Sequence, residues 1–130
     1  MDKLMKILIV DDAKSIRIIM DVSLRNAGYE ITQANNGREA LEIAQQQQFD
    51  LVLTDINMPE MDGFTLITKL RQLPAYAHTP ILALTTEDSD EKKQQGKSVG
   101  ATGWITKPFS PEKLTNIVIN LLGKTAPNRA

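Results

Sequence analysis

Three aspartates, a threonine and a lysine follow short apolar runs at widely separated points of the sequence. Asp11 and Asp12 follow the first run and Asp55 the third, while Thr85 and Lys107 follow the fourth and the fifth. If the runs are parallel strands, their carboxyl ends lie at one edge of a sheet and bring these side chains together. Clustered carboxylates repel, since one pair about 4 Å apart costs roughly 4 kcal/mol at an effective dielectric of about 20. Such a cluster needs bound protons or a cation.

Magnesium is the cation that this set of side chains favours. It prefers oxygen ligands, keeps several waters and takes a phosphate oxygen readily. Lys107 adds a compact positive charge and Thr85 a hydroxyl, so the whole set suits the transfer of a phosphoryl group. No G-x-x-x-x-G-K-[ST] loop is present, so we do not expect a nucleotide as the donor. A carboxylate can itself be the nucleophile, and Asp55 is the candidate because it lies at the centre of the predicted edge.

Each of these residues also has a structural explanation when it is taken alone. Asp11 or Asp12 could cap the first helix, and Asp55 could be a turn residue at the end of a strand. Thr85 could be an ordinary β-branched strand residue, and Lys107 could be a surface charge. Their joint occurrence at the ends of four apolar runs favours the site.

The apolar runs alternate with segments of helical period. We predict strands at Ile7–Val10, Glu30–Ala34, Leu51–Thr54, Ile81–Leu84 and Gly103–Thr106, and helices at Ser15–Ala27, Arg38–Gln47, Phe64–Leu73, Asp90–Val99 and Pro111–Leu122. This alternation indicates an α/β domain of five βα units, with a doubly wound parallel sheet covered on both faces. The strand order 2-1-3-4-5 is taken from known flavodoxin-like folds and does not follow from these residues alone.

The composition indicates one globular domain, since 42% of the 130 residues are hydrophobic and 24% are charged. The net charge of −1 provides no broad basic surface for nucleic acid. The absence of cysteine excludes disulfides and thiolate metal sites. No apolar stretch approaches the roughly 18 residues of a membrane span. We therefore expect a cytoplasmic monomer with a domain at residues 1–124 and a flexible tail at 125–130.

Four motifs make the chain resemble the receiver domains of two-component response regulators. They are ILIVDD at Ile7–Asp12, TDINMPEMDG at Thr54–Gly63, LALTTE at Leu82–Glu87 and GWITKPF at Gly103–Phe109. The resemblance covers nearly everything from residue 6 to residue 122, and its layout is similar to that of CheY-like single-domain chemotaxis regulators. Together the motifs are specific, whereas one of them alone would not be.

The resemblance implies that Asp55 accepts a phosphoryl group from the phosphohistidine of a CheA-like histidine kinase. It implies that Asp12 and Asp55 hold Mg²⁺, with Asp11 acting mainly through a metal-bound water and Asn57 through its backbone carbonyl. The protein would then be a phosphoacceptor that assists its own phosphorylation and dephosphorylation, and not a conventional enzyme.

The resemblance also assigns expected roles to the ends of the fourth and fifth strands. Thr85 would hydrogen-bond a phosphoryl oxygen and move toward it, and Lys107 would bind another. Thr86 is adjacent, and the register with Asp55 and Lys107 favours Thr85 as the residue that faces the site. The bond between Lys107 and Pro108 would be cis, a recurrent turn device.

Three further positions are expected to tune or transmit the response. Asn57 and Glu87 match positions that flank the phosphoryl group and control how water approaches it. Trp104 stands where the family usually has a smaller aromatic residue, whose ring moves inward as the threonine moves. Two interpretations of Trp104 remain open: a switch residue, or a buried strand aromatic whose N–H needs a partner.

We expect the output to be binding, because only 23 residues follow Lys107. The favoured hypothesis is a switch whose helix 4–strand 5–helix 5 face changes its affinity for a partner. A chemotaxis role would make the flagellar motor switch protein that partner, alongside a phosphatase. The alternatives are a phosphate sink or phosphorelay intermediate in another circuit, or a constitutive adaptor. Binding to nucleic acid and insertion into a membrane are not expected.

Overall fold

Five strands and five helices alternate along the chain in the computed structural model, which describes residues 4–123. The strands are β1 (Lys6–Val10), β2 (Glu30–Ala34), β3 (Leu51–Asp55), β4 (Ile81–Thr85) and β5 (Gly103–Thr106). The helices are α1 (Lys14–Asn26), α2 (Gly37–Gln46), α3 (Gly63–Arg71), α4 (Asp90–Val99) and α5 (Pro111–Leu122), and a 3₁₀ turn covers Pro74–Tyr76. The strands are parallel in the order β2-β1-β3-β4-β5. The predicted fold class and strand order are confirmed.

The ends of the elements differ slightly from the prediction. β3 and β4 each continue for one more residue, so Asp55 and Thr85 are the last residues of strands and not the first residues of loops. α3 ends at Arg71, two residues early, because Pro74 disfavours a helical conformation for the residue before it. The predicted domain end at 124 and the tail at 125–130 lie outside the described residues.

The sheet is buried on both faces because successive strand residues point to opposite sides. In β1, Leu8 and Val10 belong to the apolar layer under α2 and α3, which includes Phe64. Ile7 and Ile9 belong to the layer under α1 and α5. The near-continuous apolar strands of the sequence are therefore those of a parallel sheet covered on both faces. No helix within residues 4–123 is long and apolar enough to cross a membrane.

The start of α1 differs from that of the other helices. Side chains cap α2, α3, α4 and α5, and these caps are Asn36, Asp62, Ser89 and Ser110. The N-cap of α1 is Ala13, which provides no side-chain bond. The structural explanation that Asp11 or Asp12 is an N-cap is therefore wrong.

The connection from β3 to α3 folds tightly against the end of the strand. A Cβ atom on Gly63 would lie 2.3 Å from the carbonyl oxygen of Asp55, so only glycine fits there. The Gly63 N–H donates to the carbonyl of Ile56 at 2.8 Å. Glu60 has a φ of 69° in this loop, a conformation that non-glycine residues rarely adopt. This close return fixes the backbone on which Asp55 is placed.

Candidate functional site

Asp11, Asp12 and Asp55 converge at the carboxyl end of the sheet. The pairing of β1 with β3 sets Val10 beside Thr54, so the residues that follow them are neighbours. Each aspartate offers one oxygen, and these oxygens lie within 4.8 Å of one another. Asp11 and Asp55 are buried, whereas Asp12 is exposed. The predicted gathering of carboxylates at this edge is present.

Lys107 extends its ammonium group into this cluster. Its Nζ lies 2.9 Å from Asp11 Oδ2 and 3.5 Å from Asp55 Oδ2. Its backbone N–H donates to the carbonyl of Thr85 at 2.7 Å, which holds the end of β5 to the end of β4. The bond to Pro108 is cis, as expected. One ammonium therefore compensates two of the three carboxylates in part, and the cluster keeps an excess of negative charge.

Asp55 has an altered acidity in this setting. Burial raises the pKa of its carboxyl above the ordinary value. The Lys107 ammonium lowers this pKa, the nearby Asp11 charge raises it, and the backbone N–H groups of Ile56 and Asn57 lower it. The Ile56 N–H donates to Asp55 Oδ1 at 2.8 Å. A cation that remained beside Asp55 would favour its ionised, nucleophilic form.

The hydroxyl of Thr85 belongs to the same edge. Thr85 is fully buried, and its Oγ1 accepts hydrogen bonds from Asn57 Nδ2 at 3.3 Å and from the Glu87 N–H at 3.1 Å. Thr86 is exposed. Thr85 is therefore the threonine that joins the site region, as the register predicted.

Trp104 connects this region to α4. Its indole N–H donates to the carbonyl of Glu87 at 2.9 Å, and its ring stacks on Phe64 with centroids 6.2 Å apart. A Cβ atom on Gly96 would lie 2.7 Å from Cζ3 of this ring. A glycine in α4 thus makes room for a tryptophan that is partly buried, and the indole N–H has the partner that it needs.

Comparison with known proteins gives the family. Residues 7–119 match the response regulator receiver domain. The chain belongs to this family. Receiver domains accept phosphoryl groups in partnership with histidine kinases and bind Mg²⁺ at an acidic pocket.

Individual relatives span several kinds of regulator. The solved structure of the chemotaxis protein CheY4 from Vibrio cholerae is 50% identical, covers 92% of this chain and 100% of its own, and has a TM-score of 0.89. The transcriptional regulatory protein SrrA of Staphylococcus aureus is 39% identical over 92% of this chain. The chain spans 48% of that relative's length. The receiver domain of the sensor histidine kinase PA1611 from Pseudomonas aeruginosa, described with a magnesium ion coordinated in its active-site cleft, is 26% identical. It covers 94% of this chain and 100% of its own, with a TM-score of 0.85.

The acidic cluster of this receiver domain fits a small divalent cation. Its oxygens come from three carboxylates, the donor type that Mg²⁺ prefers. Opposite ligands of an octahedral Mg²⁺ lie about 4 Å apart, so three oxygens within 4.8 Å need little movement to reach one ion. Asp12 makes no ion pair within the part of the chain that the structure describes, so its carboxylate is available to a metal.

Sequence reasoning missed two residues near this site. Arg17 is buried, and its Nη1 donates to the carbonyl of Asp11 at 2.6 Å. The signal was present, because Arg17 occupies a helical stripe that Met20 and Leu24 continue with apolar side chains. Gly96 gave no signal of this kind, since a glycine in a helix does not reveal what packs against it.

An apolar surface lies beside the cluster. Ile16 and Ile19 of α1 and Pro108 and Phe109 after β5 line a cavity of about 420 Å³ that Lys107 also borders. Ile19 is 45% exposed, although it belongs to a helix that packs on the core. A second protein could therefore make apolar contacts while it reaches Asp55.

Proposed function

We propose that this chain is a switch that accepts a phosphoryl group on Asp55 from the phosphohistidine of a histidine kinase. The observation that carries the proposal is a buried carboxylate with two further aspartates and the Lys107 ammonium around it. In the transfer, an Asp55 oxygen forms a bond to phosphorus and the P–N bond of phosphohistidine breaks. The imidazole nitrogen keeps the bonding electrons and takes up a proton.

Asp11, Asp12 and Asp55 would hold Mg²⁺ through their carboxylates, and Asn57 through its backbone carbonyl. The ion, when bound, neutralises charge on the phosphoryl oxygens and on the acidic cluster. Lys107 lies within 3.5 Å of Asp55 and can bind another phosphoryl oxygen with little movement. These are charge-neutralising and orienting roles, which phosphoryl transfer needs most.

We propose that Thr85 starts the response and Trp104 transmits it. Thr85 Oγ1 accepts two hydrogen bonds, so its own hydrogen can be donated to a phosphoryl oxygen. Movement of Thr85 would pull on the Glu87 amide, and the carbonyl of Glu87 is bound by the indole of Trp104. Asn57 and Glu87 flank the path by which water reaches the phosphoryl group, so their side chains would set the rate of hydrolysis.

Acetyl phosphate with MgCl₂ tests the acceptor. We expect the intact mass to increase by one phosphoryl group in the native chain and to stay unchanged in Asp55→Asn. Asp50→Asn is the matched control, because Asp50 lies just before the other end of the same strand. A mass increase in Asp55→Asn, or none in the native chain, would contradict the proposal.

The switch is tested through tryptophan fluorescence, because the chain contains one tryptophan. Beryllofluoride with Mg²⁺ imitates the phosphoryl group on a carboxylate. We expect it to change the Trp104 emission of the native chain and to leave that of Thr85→Ala nearly unaltered. An equal change in both would remove Thr85 from the path.

The apolar surface supports a protein as phosphodonor. We propose that the kinase contacts Ile19 and Phe109 while its phosphohistidine approaches Asp55. Ile19→Glu should then slow phosphotransfer from a cognate kinase and leave the reaction with acetyl phosphate unchanged, because the small donor does not need the surface. Equal rates from the kinase before and after substitution would contradict this contact.

Chemotaxis is the output that we propose first. The support is the 50% identity to CheY4 over that entire chain. Co-precipitation with flagellar motor switch proteins, with and without beryllofluoride, tests it, and enrichment by beryllofluoride is expected. No enrichment would favour a phosphate sink, a phosphorelay intermediate or a transcriptional role of the kind that SrrA's name describes.

A further inference from the structure

Arg17 occupies an unfavourable place for a charged residue. It is 8% exposed and shares the inward stripe of α1 with Met20 and Leu24, which are fully buried. Its guanidinium makes no ion pair within residues 4–123. A buried charge without a directly paired opposite charge is costly, and an apolar residue would continue the stripe better. A role other than stability therefore explains an arginine at this position better.

The contacts of Arg17 link the acidic cluster to β2. Nη1 donates to the carbonyl oxygen of Asp11 at 2.6 Å, and Nε donates to Gln33 Oε1 at 3.1 Å. The Gln33 amide in turn donates to Asp21 Oδ2 at 2.6 Å. Two N–H groups of the planar guanidinium therefore donate to two separate acceptors at the same time. The ammonium group of a lysine could not reproduce this geometry.

The peptide that joins Asp11 to Asp12 is the group that Arg17 fixes. The Asp11 N–H donates to the carbonyl of Ala34 at 3.3 Å, and Asp11 Oδ1 accepts from the Ala13 N–H at 2.8 Å. Arg17 adds the third contact, to the Asp11 carbonyl. The first two contacts hold the preceding peptide and the Asp11 side chain, so Arg17 makes the one contact of the three that lies on the Asp11–Asp12 peptide itself.

Asp12 depends on the orientation of this peptide more than Asp11 or Asp55 does. Asp11 is fixed by Lys107 and by the Ala13 N–H, and Asp55 by the Ile56 N–H. The Asp12 carboxylate is exposed and accepts no hydrogen bond from another part of the described chain. Its position relative to the other two oxygens is thus set by the backbone and its own side-chain torsions, without help from a hydrogen bond.

We propose that Arg17 is a positioning residue for cation binding, which holds the Asp11–Asp12 peptide so that the Asp12 carboxylate faces Asp55. The inference rests on the proposed Mg²⁺ site. Groups that orient metal ligands from outside typically change metal affinity by about 10-fold to 100-fold when they are removed. Arg17 acts in this way through a backbone carbonyl, and not through its charge.

The charge of Arg17 would act in the opposite direction. A positive group near three carboxylates repels a cation, so its removal alone would tighten Mg²⁺ binding. The sign of the change in affinity therefore separates positioning from electrostatics. Arg17→Lys keeps the positive charge but loses the planar two-donor geometry of the guanidinium. Arg17→Met loses both the charge and this geometry.

Titration calorimetry with MgCl₂ measures the effect in the folded protein. We expect Arg17→Lys to raise the dissociation constant about 10-fold or more. Arg17→Met should raise it by less, because loss of the positive charge acts in the opposite direction. Gln33→Met removes only the second anchor of the guanidinium and should give a smaller rise. It also provides a third variant if a substitution at Arg17 prevents folding.

Arg71→Met is the matched control. Arg71 also uses its guanidinium to hold backbone carbonyls, those of Tyr76, Thr79 and Gly100, but it lies at the end of α3 away from the cluster. We expect it to lower the urea midpoint and to leave the Mg²⁺ dissociation constant unchanged. This separates loss of stability from loss of positioning.

A second measurement distinguishes the affinity for Mg²⁺ from the rate of phosphorylation. With acetyl phosphate, the Mg²⁺ concentration for half-maximal phosphorylation should rise in Arg17→Lys, while the rate at saturating Mg²⁺ stays that of the native chain. An unchanged or tighter dissociation constant in both Arg17 variants would overturn the inference and leave the proposed function intact. Absence of Mg²⁺ binding by the native chain would overturn both.

Discussion

Helices α3 and α4 are neighbours that pack on the same face of the sheet, yet they are held there in different ways. The buried residues of α3 are Gly63, Phe64, Leu66, Ile67 and Leu70, whereas α4 buries only Gly96. α4 is instead supported by its ends: a Ser89 cap, acids in the first turn, Lys97 in the last and a left-handed Gly100. α3 is therefore fixed to the core, whereas α4 buries little against it, and we expect α4 to move at lower cost than α3.

This difference has a direct bearing on the proposed switch. α4 contacts β5 through the ring of Trp104, which lies against Gly96 and Phe64. The same indole is hydrogen-bonded to Glu87. In the proposed switch, a change at Thr85 would reach α4 through the Trp104 side chain, while α3 would stay in place.

The largest loss of stability is expected from a substitution that creates a cavity under α3. Leu70→Ala should lower the free energy of unfolding by about 2–5 kcal/mol, because Leu70 is fully buried. Gln94→Ala in α4 is the matched change and should stay within about 0.5 kcal/mol, since Gln94 is exposed. Urea unfolding measures both. Similar losses would show that the two helices are equally anchored.

Tyr76 lies in the 3₁₀ turn that follows α3, and it makes the stability of the fold depend on pH. The single hydrogen of its hydroxyl is shared between the carbonyls of Ala44 and Gln47, and the hydroxyl oxygen accepts from the Phe49 N–H. Burial raises the pKa of Tyr76 above the ordinary value of about 10, and burial raises that of Tyr29 too. The unfolded chain therefore ionises first, and stability is lost as the pH rises above about 10.

In Tyr76→Phe we expect a free energy of unfolding about 1–3 kcal/mol lower at neutral pH, because the Phe49 N–H loses its partner. The loss of stability above about pH 10 should also be smaller, since Tyr76 no longer contributes to it while Tyr29 still does. Urea unfolding between pH 8 and 11 measures both effects, with those pH limits chosen around the ordinary tyrosine pKa of about 10. An identical alkaline slope in the variant would contradict the assignment.

The N-cap residues of α3 and α4 provide a matched pair of substitutions. Asp62 accepts from the Thr65 N–H at 2.9 Å and Ser89 from the Lys92 N–H at 3.2 Å. Replacing either with alanine should cost about 1 kcal/mol. We expect Asp62→Ala to lower global stability and Ser89→Ala to speed hydrogen exchange in α4 only. A global loss of the same size from Ser89→Ala would contradict the separate behaviour of α4.

A small net change in stability is expected from Gly96→Ala. Alanine in a helix gains about 1 kcal/mol over glycine, but its Cβ would meet the Trp104 ring at 2.7 Å. Because α4 can shift outward, we expect the net change to stay within about 1 kcal/mol while the Trp104 emission changes. A loss typical of overpacked cores, about 1–3 kcal/mol, with unaltered emission would mean that α4 is rigid.

The sequence predicted the elements and the gathering of the site residues for a simple reason. In a parallel sheet all carboxyl ends meet at one edge, so Asp11, Asp55, Thr85 and Lys107 come together once the strands are recognised. The order of the strands came from known folds. Pro74 indicates that α3 ends early, but the predicted helix extended to Leu73, directly before this proline.

Other features could not be predicted because they depend on contacts between distant residues. Nothing in the sequence indicates that the Lys107 ammonium lies between Asp11 and Asp55. The fit of Trp104 over Gly96 depends on how α4 crosses β5, which no periodicity encodes. Arg17 carried a signal, a charge in an apolar stripe, but its acceptor could be found only from the coordinates.

The position of Lys107 in the last strand matters during synthesis. When β1 to β3 have left the ribosome, Asp11, Asp12 and Asp55 are already made, but the ammonium that compensates them is still missing. β4 must add to β3 before β5 can pair at the sheet's edge. The acidic groups and the ammonium that compensates them can therefore come together only after β5 has been synthesised and has left the ribosome, so the complete site is among the last features of the domain to form.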